Sequence, residues 1–394
     1  MKTTVVFVLA CVCFCAAAKV PTKPPKFDYR TPAYLDFLNK QKVILEVLQH
    51  VHQSALFPKF VDDANSFNWT DLVPLYEDTT VITNYLALQK VGLLERGEEF
   101  SVLRKSHIEQ AVALFRCLHQ APDWETFYKV LVWARVNVNE GVFVYAVNVA
   151  VLHRPDFEGI ALPTPYEIYP YYFFNAETIQ AAQNAKCQSP SGKKSSEVNL
   201  LIINSNYTGW PTRANAEQAL SYFTEDVGLN AWYYYFHSDY PFWVDNKDSL
   251  IKSRRGEVYL YTHAQLLARY YLERLSNNLG EIPQFSWRTP FRTGYNPALA
   301  YYRGTAFPVR NNFYSVNNEN TYYPIEKVES LEARVQYAIE HQLFTLPNGT
   351  NVDLSKPDSV EYFANLYKLT TPAKKNIQLF GLLEVLGRTL LLQI

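Results

Sequence analysis

Residues 222–241 read YFTEDVGLNAWYYYFHSDYP. An acidic pair, Glu225 and Asp226, opens the stretch, and Gly228 and Asn230 follow. Five consecutive aromatics run from Trp232 to Phe236, and His237 and Pro241 close it. An acidic cap ahead of an apolar run predicts a helix. That helix carries one histidine, on a face where a metal site could stand. Whether His237 has partners separates oxygen-binding or oxidase chemistry from a protein with neither.

Upstream, apolar residues recur at helical spacing over Tyr34–His52, Thr80–Leu94, Ser106–His119 and Trp124–Val136. Asn139–His153 is almost wholly apolar and predicts a fully buried helix or strand, its length favouring a helix. Arg154-Pro155-Asp156 stops it, which places the first domain boundary there. His50 and His52 are two apart, so a helix points them to different faces, and they read as surface polar histidines. The run Val198–Ile203 is a candidate strand, and 188–196 a polar, protease-accessible loop. Downstream, VYLYTHAQLLARYYLERL (258–275) predicts a helix with Leu260, Leu267 and Leu275 on its apolar face and His263 near its middle. Residues 281–325, rich in Pro, Gly, Asn and Tyr, predict mostly loop. Helical spacing returns at Ile325–Phe344, Val360–Leu369 and Ile377–Gln393.

A net charge of −1 argues against a partner that is nucleic acid or an anionic membrane. Hydrophobic content of 48% suits a chain with a sizeable core. The 29 Tyr and 24 Phe stand beside a single Met. Such residues usually mean large buried area; an excess spread over the whole chain also fits a protein selected partly for its composition. No phosphate-binding loop or dinucleotide fingerprint is present, and serine, cysteine or paired-carboxylate catalysis has no support.

Residues 1–18 read as a secretory signal: Lys2, an apolar run Val5–Cys15 too short to span a membrane, and Ala16-Ala17-Ala18 as the cleavage site. A Pro- and Lys-rich arm (19–32) follows. Cleavage would leave two cysteines, Cys117 and Cys187, able to form one bridge or to stay apart, with Cys117 in an apolar helical run. Three sequons, at Asn68, Asn206 and Asn348, become glycosylation candidates in a secreted chain. Asn68, next to Trp69, is expected to be the least accessible.

Tyr222-Phe223, Glu225-Asp226-Val227, Asn230, His237 and Pro241, at their spacing, resemble the signature of the arthropod hemocyanin superfamily, which holds oxygen carriers, phenoloxidases and copper-free insect hexamerins. Segments 96–101, 126–156, 166–175 and 254–277 resemble the same family's first two domains. The resemblance implies a mainly α fold: an N-terminal helical domain (19–155) and a middle helical-bundle domain (156–394). It also implies a C-terminal β-sandwich, which the chain, ending at Ile394, would lack.

In that family each of two coppers is held by three histidines, two of them four apart on one helix. Residues i and i+4 share a helical face, so two imidazoles converge on one metal. The resemblance places the first copper's positions on Tyr233, His237 and His263. It places the second copper's pair on Glu384 and Arg388, and no histidine follows His341. A phenol is a poor substitute for imidazole, and a guanidinium has no lone pair to donate. The expectation is therefore no catalytic residue, no metal and no cofactor, and a resemblance to aromatic-rich arylphorins. That implies a non-enzymatic secreted storage protein of the haemolymph, assembling as homo- or hetero-hexamers and taken up through a receptor. The alternative is a haemolymph carrier of a small hydrophobic hormone or phenolic ligand; a copper oxygen carrier or phenoloxidase stands further back.

Overall fold

Several helix starts are set by short polar caps ahead of apolar runs. The computed structural model describes residues 31–188, 202–205, 215–244, 250, 254–282, 286–316, 325–345, 349–357 and 359–362. Seven helices build the N-terminal part. They are α1 (Pro32–Leu48), α2 (Pro58–Asn65), α3 (Trp69–Leu72), α4 (Thr80–Val91), α5 (Lys105–His119), α6 (Trp124–Asn137) and α7 (Glu140–His153). Thr31, Asn68, Asp123 and Asn139 each accept a backbone N–H at a helix start, which satisfies donors the first turn leaves over.

The main core lies here. α7 is buried on nearly every side, from Val142 to Val151. It packs against α5, whose Ala111, Leu114, Phe115 and Leu118 face it from one stripe. Trp69, Tyr85 and Trp133 pack edge-to-face beside this core. Asn139 ties the entry of α7 in both directions. Its Oδ1 accepts from Gly141 and Val142, and its Nδ2 donates to the carbonyls of Glu95 (2.7 Å) and Glu98 (2.9 Å). Asn139→Ala removes the cap and one donor from each carbonyl, with Glu95 keeping only the Glu98 N–H, so a loss of about 2 kcal/mol is expected in denaturant unfolding. A change under about 0.5 kcal/mol would mean water replaces the side chain.

The second part is also helical: α8 (Pro165–Ile168), α9 (Ala176–Gln188), α10 (Ser221–Thr224), α11 (Val227–Asp239), α12 (Arg255–Ser276) and α13 (Ile325–Glu340). A two-stranded antiparallel ribbon follows, β1 (Leu343–Thr345) with β2 (Asn351–Asp353), pairing Phe344 with Val352. Single antiparallel bridges at Phe291–Tyr314, Tyr295–Arg310 and Ala300–Ala306 fold 291–314 into a long arm. The described residues are mainly helical, and none of their helices is long and apolar enough to cross a membrane.

Several expectations shift. α1 ends at Leu48, so His50 and His52 lie beyond it, and His50 takes a positive φ of 43°. α13 stops at Glu340, and Leu343–Thr345 is strand. α9 carries no strong apolar period and was not anticipated. Residues 202–205 form no strand, and 198–201 and 377–393 lie outside the described residues. On α12 the leucines at 267, 272 and 275 are exposed, while Tyr270, Glu273 and Arg274 are buried. The reason is polar. Arg274 donates to Glu217 and to the carbonyls of Leu279, Gly280 and Glu281, which draws that side of the helix inward.

Candidate functional site

α11 begins where its cap predicts. Asp226 accepts from the Leu229 N–H at 2.7 Å, and Asn230 donates to the carbonyls of Thr224 and Asp226. Its five aromatics then sort by direction. Trp232 is half exposed. Tyr234 accepts from Asn148 on α7 at 3.2 Å, and burial pushes its phenol up to about 12. Tyr235 donates to the Pro163 carbonyl. Phe236 stacks on Trp232. Tyr233 points instead at α12.

There Tyr233, His237 and His263 meet, as the four-residue spacing and the α12 neighbour require. The Tyr233 ring stands edge-on to His237 at 4.4 Å and lies 5.8 Å from His263; the two imidazoles are 6.0 Å apart. The Nδ1 of His263 lies 2.7 Å from the carbonyl oxygen of Tyr259. A carbonyl only accepts, so Nδ1 carries the proton and Nε2 is left as the acceptor. The Tyr233 hydroxyl donates to that Nε2 at 2.9 Å. The lone pair a metal would need on His263 is thus engaged by the residue at the neighbouring ligand position. This donor set does not fit a three-imidazole copper site. Among the described residues no group of three or more His, Cys, Asp and Glu could hold a metal ion. Glu384, Arg388, Asn206 and Asn348 lie outside the described residues.

Asn68 is exposed at the start of α3 even though Trp69 is buried, because the side chains leave a helix start in different directions. Cys117 is a free, fully buried thiol; burial pushes it up to about 12, which makes it inert. The Cys187 side chain lies outside what is described.

One polar cluster was not anticipated. His52 is not a surface residue: its side chain is 14% exposed. Its Nε2 lies 2.9 Å from the Tyr171 hydroxyl, its Nδ1 3.7 Å from Glu140, and its ring stacks on Tyr302 at 3.8 Å. Glu140 accepts from the Gly97 N–H at 2.8 Å and pairs with Arg96 at 3.0 Å. Arg303, at the tip of the 291–314 arm, donates to the Arg96 carbonyl and lies over Gly97, where a Cβ would meet its guanidinium. The signal was present as RGEEF (96–100) and NEG (139–141), but the partners are 40 or more residues apart.

The all-alpha hemocyanin domain model matches residues 37–159, and the copper-containing hemocyanin domain model matches 164–394. Hexamerin-1.1 of Anopheles gambiae is 38% identical over 363 residues, covering 90% of this chain and 52% of its own. The chain belongs to the hexamerin/arylphorin family of the hemocyanin superfamily. Arylphorin subunit alpha of Manduca sexta is also 38% identical, over 84% of this chain and 48% of its own length. This hexamerin-family chain spans about half the length of the curated relatives it matches. Among solved structures, a scorpion hemocyanin is similar at 31% identity and a TM-score of 0.64, over 77% of this chain and 47% of that one. A crustacean hemolymph prophenoloxidase, at 22% identity and 0.64 over 80% and 48%, speaks for the fold alone.

Proposed function

We propose that this chain is a secreted larval storage protein, a reservoir of amino acids rich in Tyr and Phe, in which copper and oxygen binding have been lost. The observation that carries the reading is the Tyr233 hydroxyl seated on His263 Nε2. A phenol stands where an imidazole would be needed, and it occupies a second ligand's lone pair. The composition, 29 Tyr and 24 Phe, supports a role in which the residues themselves are the cargo. The relatives named hexamerin and arylphorin support the same reading. With it go a domain division after residue 155, secretion into haemolymph after removal of residues 1–18, glycans on Asn68, Asn206 and Asn348, assembly into hexamers with like or related subunits, and receptor-mediated uptake. The reading assigns no catalytic residue.

The test is metal content. Purified protein loaded with copper and dialysed is expected to hold far less than one copper per chain and to show no new absorption band on oxygenation. Tyr233→His frees the Nε2 of His263 and adds a third imidazole, so copper retention should rise by at least about tenfold. Two coppers per chain and an oxygenation band in the unaltered protein would overturn the reading.

A further inference from the structure

The segment RGEEFSVLRK (96–105) lies between α4 and the first residue of α5 and ends on two basic residues at the surface. Its upstream end is well held. Arg96 pairs with Glu140, the Gly97 N–H donates to the same carboxylate, and Asn139 donates to the Glu98 carbonyl. Its downstream end runs into the first turn of α5, where the Arg104 carbonyl accepts from the His107 and Ile108 N–H groups but no side chain caps the helix. In between, residues 99–103 have one hydrogen bond to the rest of the described chain: the Ser101 N–H donates to the Nδ1 of His107 at 3.2 Å. The bonds from the Leu103 N–H to Ser101 Oγ and from the Arg104 N–H to the Ser101 carbonyl stay within the segment. Phe100 supplies a packing contact. Its Cβ stands where a side chain on Gly141 would have to go, and its ring rests beside His107 and Tyr145.

A backbone N–H only donates, so His107 Nδ1 is the acceptor and the ring carries its single proton on Nε2. The ring is buried, at 6% exposure. Burial first, and then the positive charge of Arg104, hold its proton affinity below the ordinary histidine value of 6.5. Among the described residues no carboxylate offsets Arg104 at this ring. On α5, Lys105 and Glu109 face each other. Glu99 lies toward His52 and Arg303. On α7, Glu140 is taken up by Arg96, Gly97 and His52, and Tyr145 meets Phe100. Protonation would place an N–H at Nδ1 opposite the Ser101 N–H, so the bond is lost and two donors face each other. The closed segment is fully favoured above about 6.5, and that advantage is lost as pH falls through the folded value.

We propose that residues 99–104 form an acid-released strap, held at neutral pH by the bond from Ser101 to His107, and that its release opens the Arg104–Lys105 peptide bond to an endopeptidase working in an acidic compartment. Val102-Leu103-Arg104 suits an enzyme that takes an apolar residue followed by a basic one, and Leu103 is already 45% exposed. The peptidase adds one water across the C–N bond, leaving a carboxylate on Arg104 and an ammonium on Lys105. The inference rests on the storage reading, in which the chain is taken up and digested.

The test uses the full chain and papain, which cuts after a basic residue preceded by an apolar one and works at both neutral and mildly acidic pH. Cutting at Arg104–Lys105 is followed by mass spectrometry at about pH 7.5 and about pH 5.5, across the range where histidine titrates, and each rate is divided by that of a free peptide of residues 99–108. The ratio is expected to rise about fivefold or more in acid, the worth of one buried hydrogen bond. His107→Asn keeps an acceptor near the Nδ1 position and does not titrate, so its ratio should not change with pH. A ratio that does not rise in the parent, or that rises equally in His107→Asn, overturns the strap. If His107→Asn does not fold, hydrogen exchange in the parent decides. Protection over 98–105, corrected for intrinsic exchange, must fall on acidification while that over α7 holds, and any other pattern overturns the proposal. Failure here leaves the storage reading standing, because copper content decides that reading separately.

Discussion

Arg135→Met is expected to lower the unfolding free energy by about 3–5 kcal/mol. Arg135 sits in α6 at 1% relative exposure, among the largest fully buried side chains. Its guanidinium donates to the carbonyls of Gln49 (3.1 Å), His50 (3.0 Å), Val51 (2.9 Å) and Gln53 (3.1 Å). These carbonyls belong to the chain just after α1, which makes no helix and supplies only turn bonds, from the Gln53 and Leu56 N–H groups to His50 and Gln53. Burial, helped by the charge of nearby Arg96, pulls the guanidinium down to about 10, so it remains charged at neutral pH. Methionine fills much of the volume and donates nothing, so each of the four carbonyls loses a charged donor; Val51 keeps Arg96, and His50 and Gln53 keep one turn N–H each. Arg135→Lys should recover only part, because an ammonium has three donors and no planar fork. Trp133, two residues away in the same helix, reports the transition in denaturant by fluorescence. A midpoint shift worth less than about 1 kcal/mol would show that residues 49–53 reach other donors or water.

The helices that came out of the sequence most closely are those with one strong signal at each end. Lys105–His119, Trp124–Asn137 and Glu140–His153 fall within a residue or two of their apolar runs, because Asp123, Asn139 and the Arg154-Pro155 stop leave little choice. α9 was missed because AETIQAAQNAKCQ has helix propensity but almost no apolar face. β1 was missed because Leu343–Thr345 continues the period of α13, and only pairing with Asn351–Asp353 distinguishes it. On α12 the leucine stripe was legible, but the inward side is decided by Arg274 and its acceptors at 217 and 279–281. No periodicity encodes that.

The site divides in the same way. The spacing of Tyr233 and His237 follows from a helix, and the approach of His263 follows from the family pattern. The hydrogen bond from Tyr233 to His263 depends on a tautomer fixed by Tyr259, which appears only with coordinates. His52 was misread for a related reason. Two histidines separated by one residue look like surface decoration on a helix, yet α1 ends at Leu48 and the chain turns His52 into a cluster with Glu140, Tyr171 and Tyr302.

Glu140→Gln is expected to destabilise the fold by about 3 kcal/mol at neutral pH and to flatten its acid response. Burial pushes the Glu140 carboxyl up, but this is outweighed by His52, the Gly97 N–H and Arg96, and the net value falls from 4.5 to about 2. The sign follows from linkage. A carboxyl whose folded value is depressed stabilises the fold fully above its unfolded value, and that contribution is lost as pH falls from about 4.5 through about 2. Glutamine keeps an acceptor for Gly97 but removes the charge, so Arg96 stays largely buried opposite a neutral partner. The difference in stability between parent and variant, measured by denaturant midpoints at steps across pH 7 to 2, should be largest at neutral pH and shrink through that window. Arg96 also donates to the carbonyls of Val51, Arg135 and Val138, so part of its anchoring survives the substitution and the pH-independent remainder reports that part. A difference that grows on acidification would mean that burial of the charge, rather than Arg96 and the Gly97 N–H, dominates at Glu140.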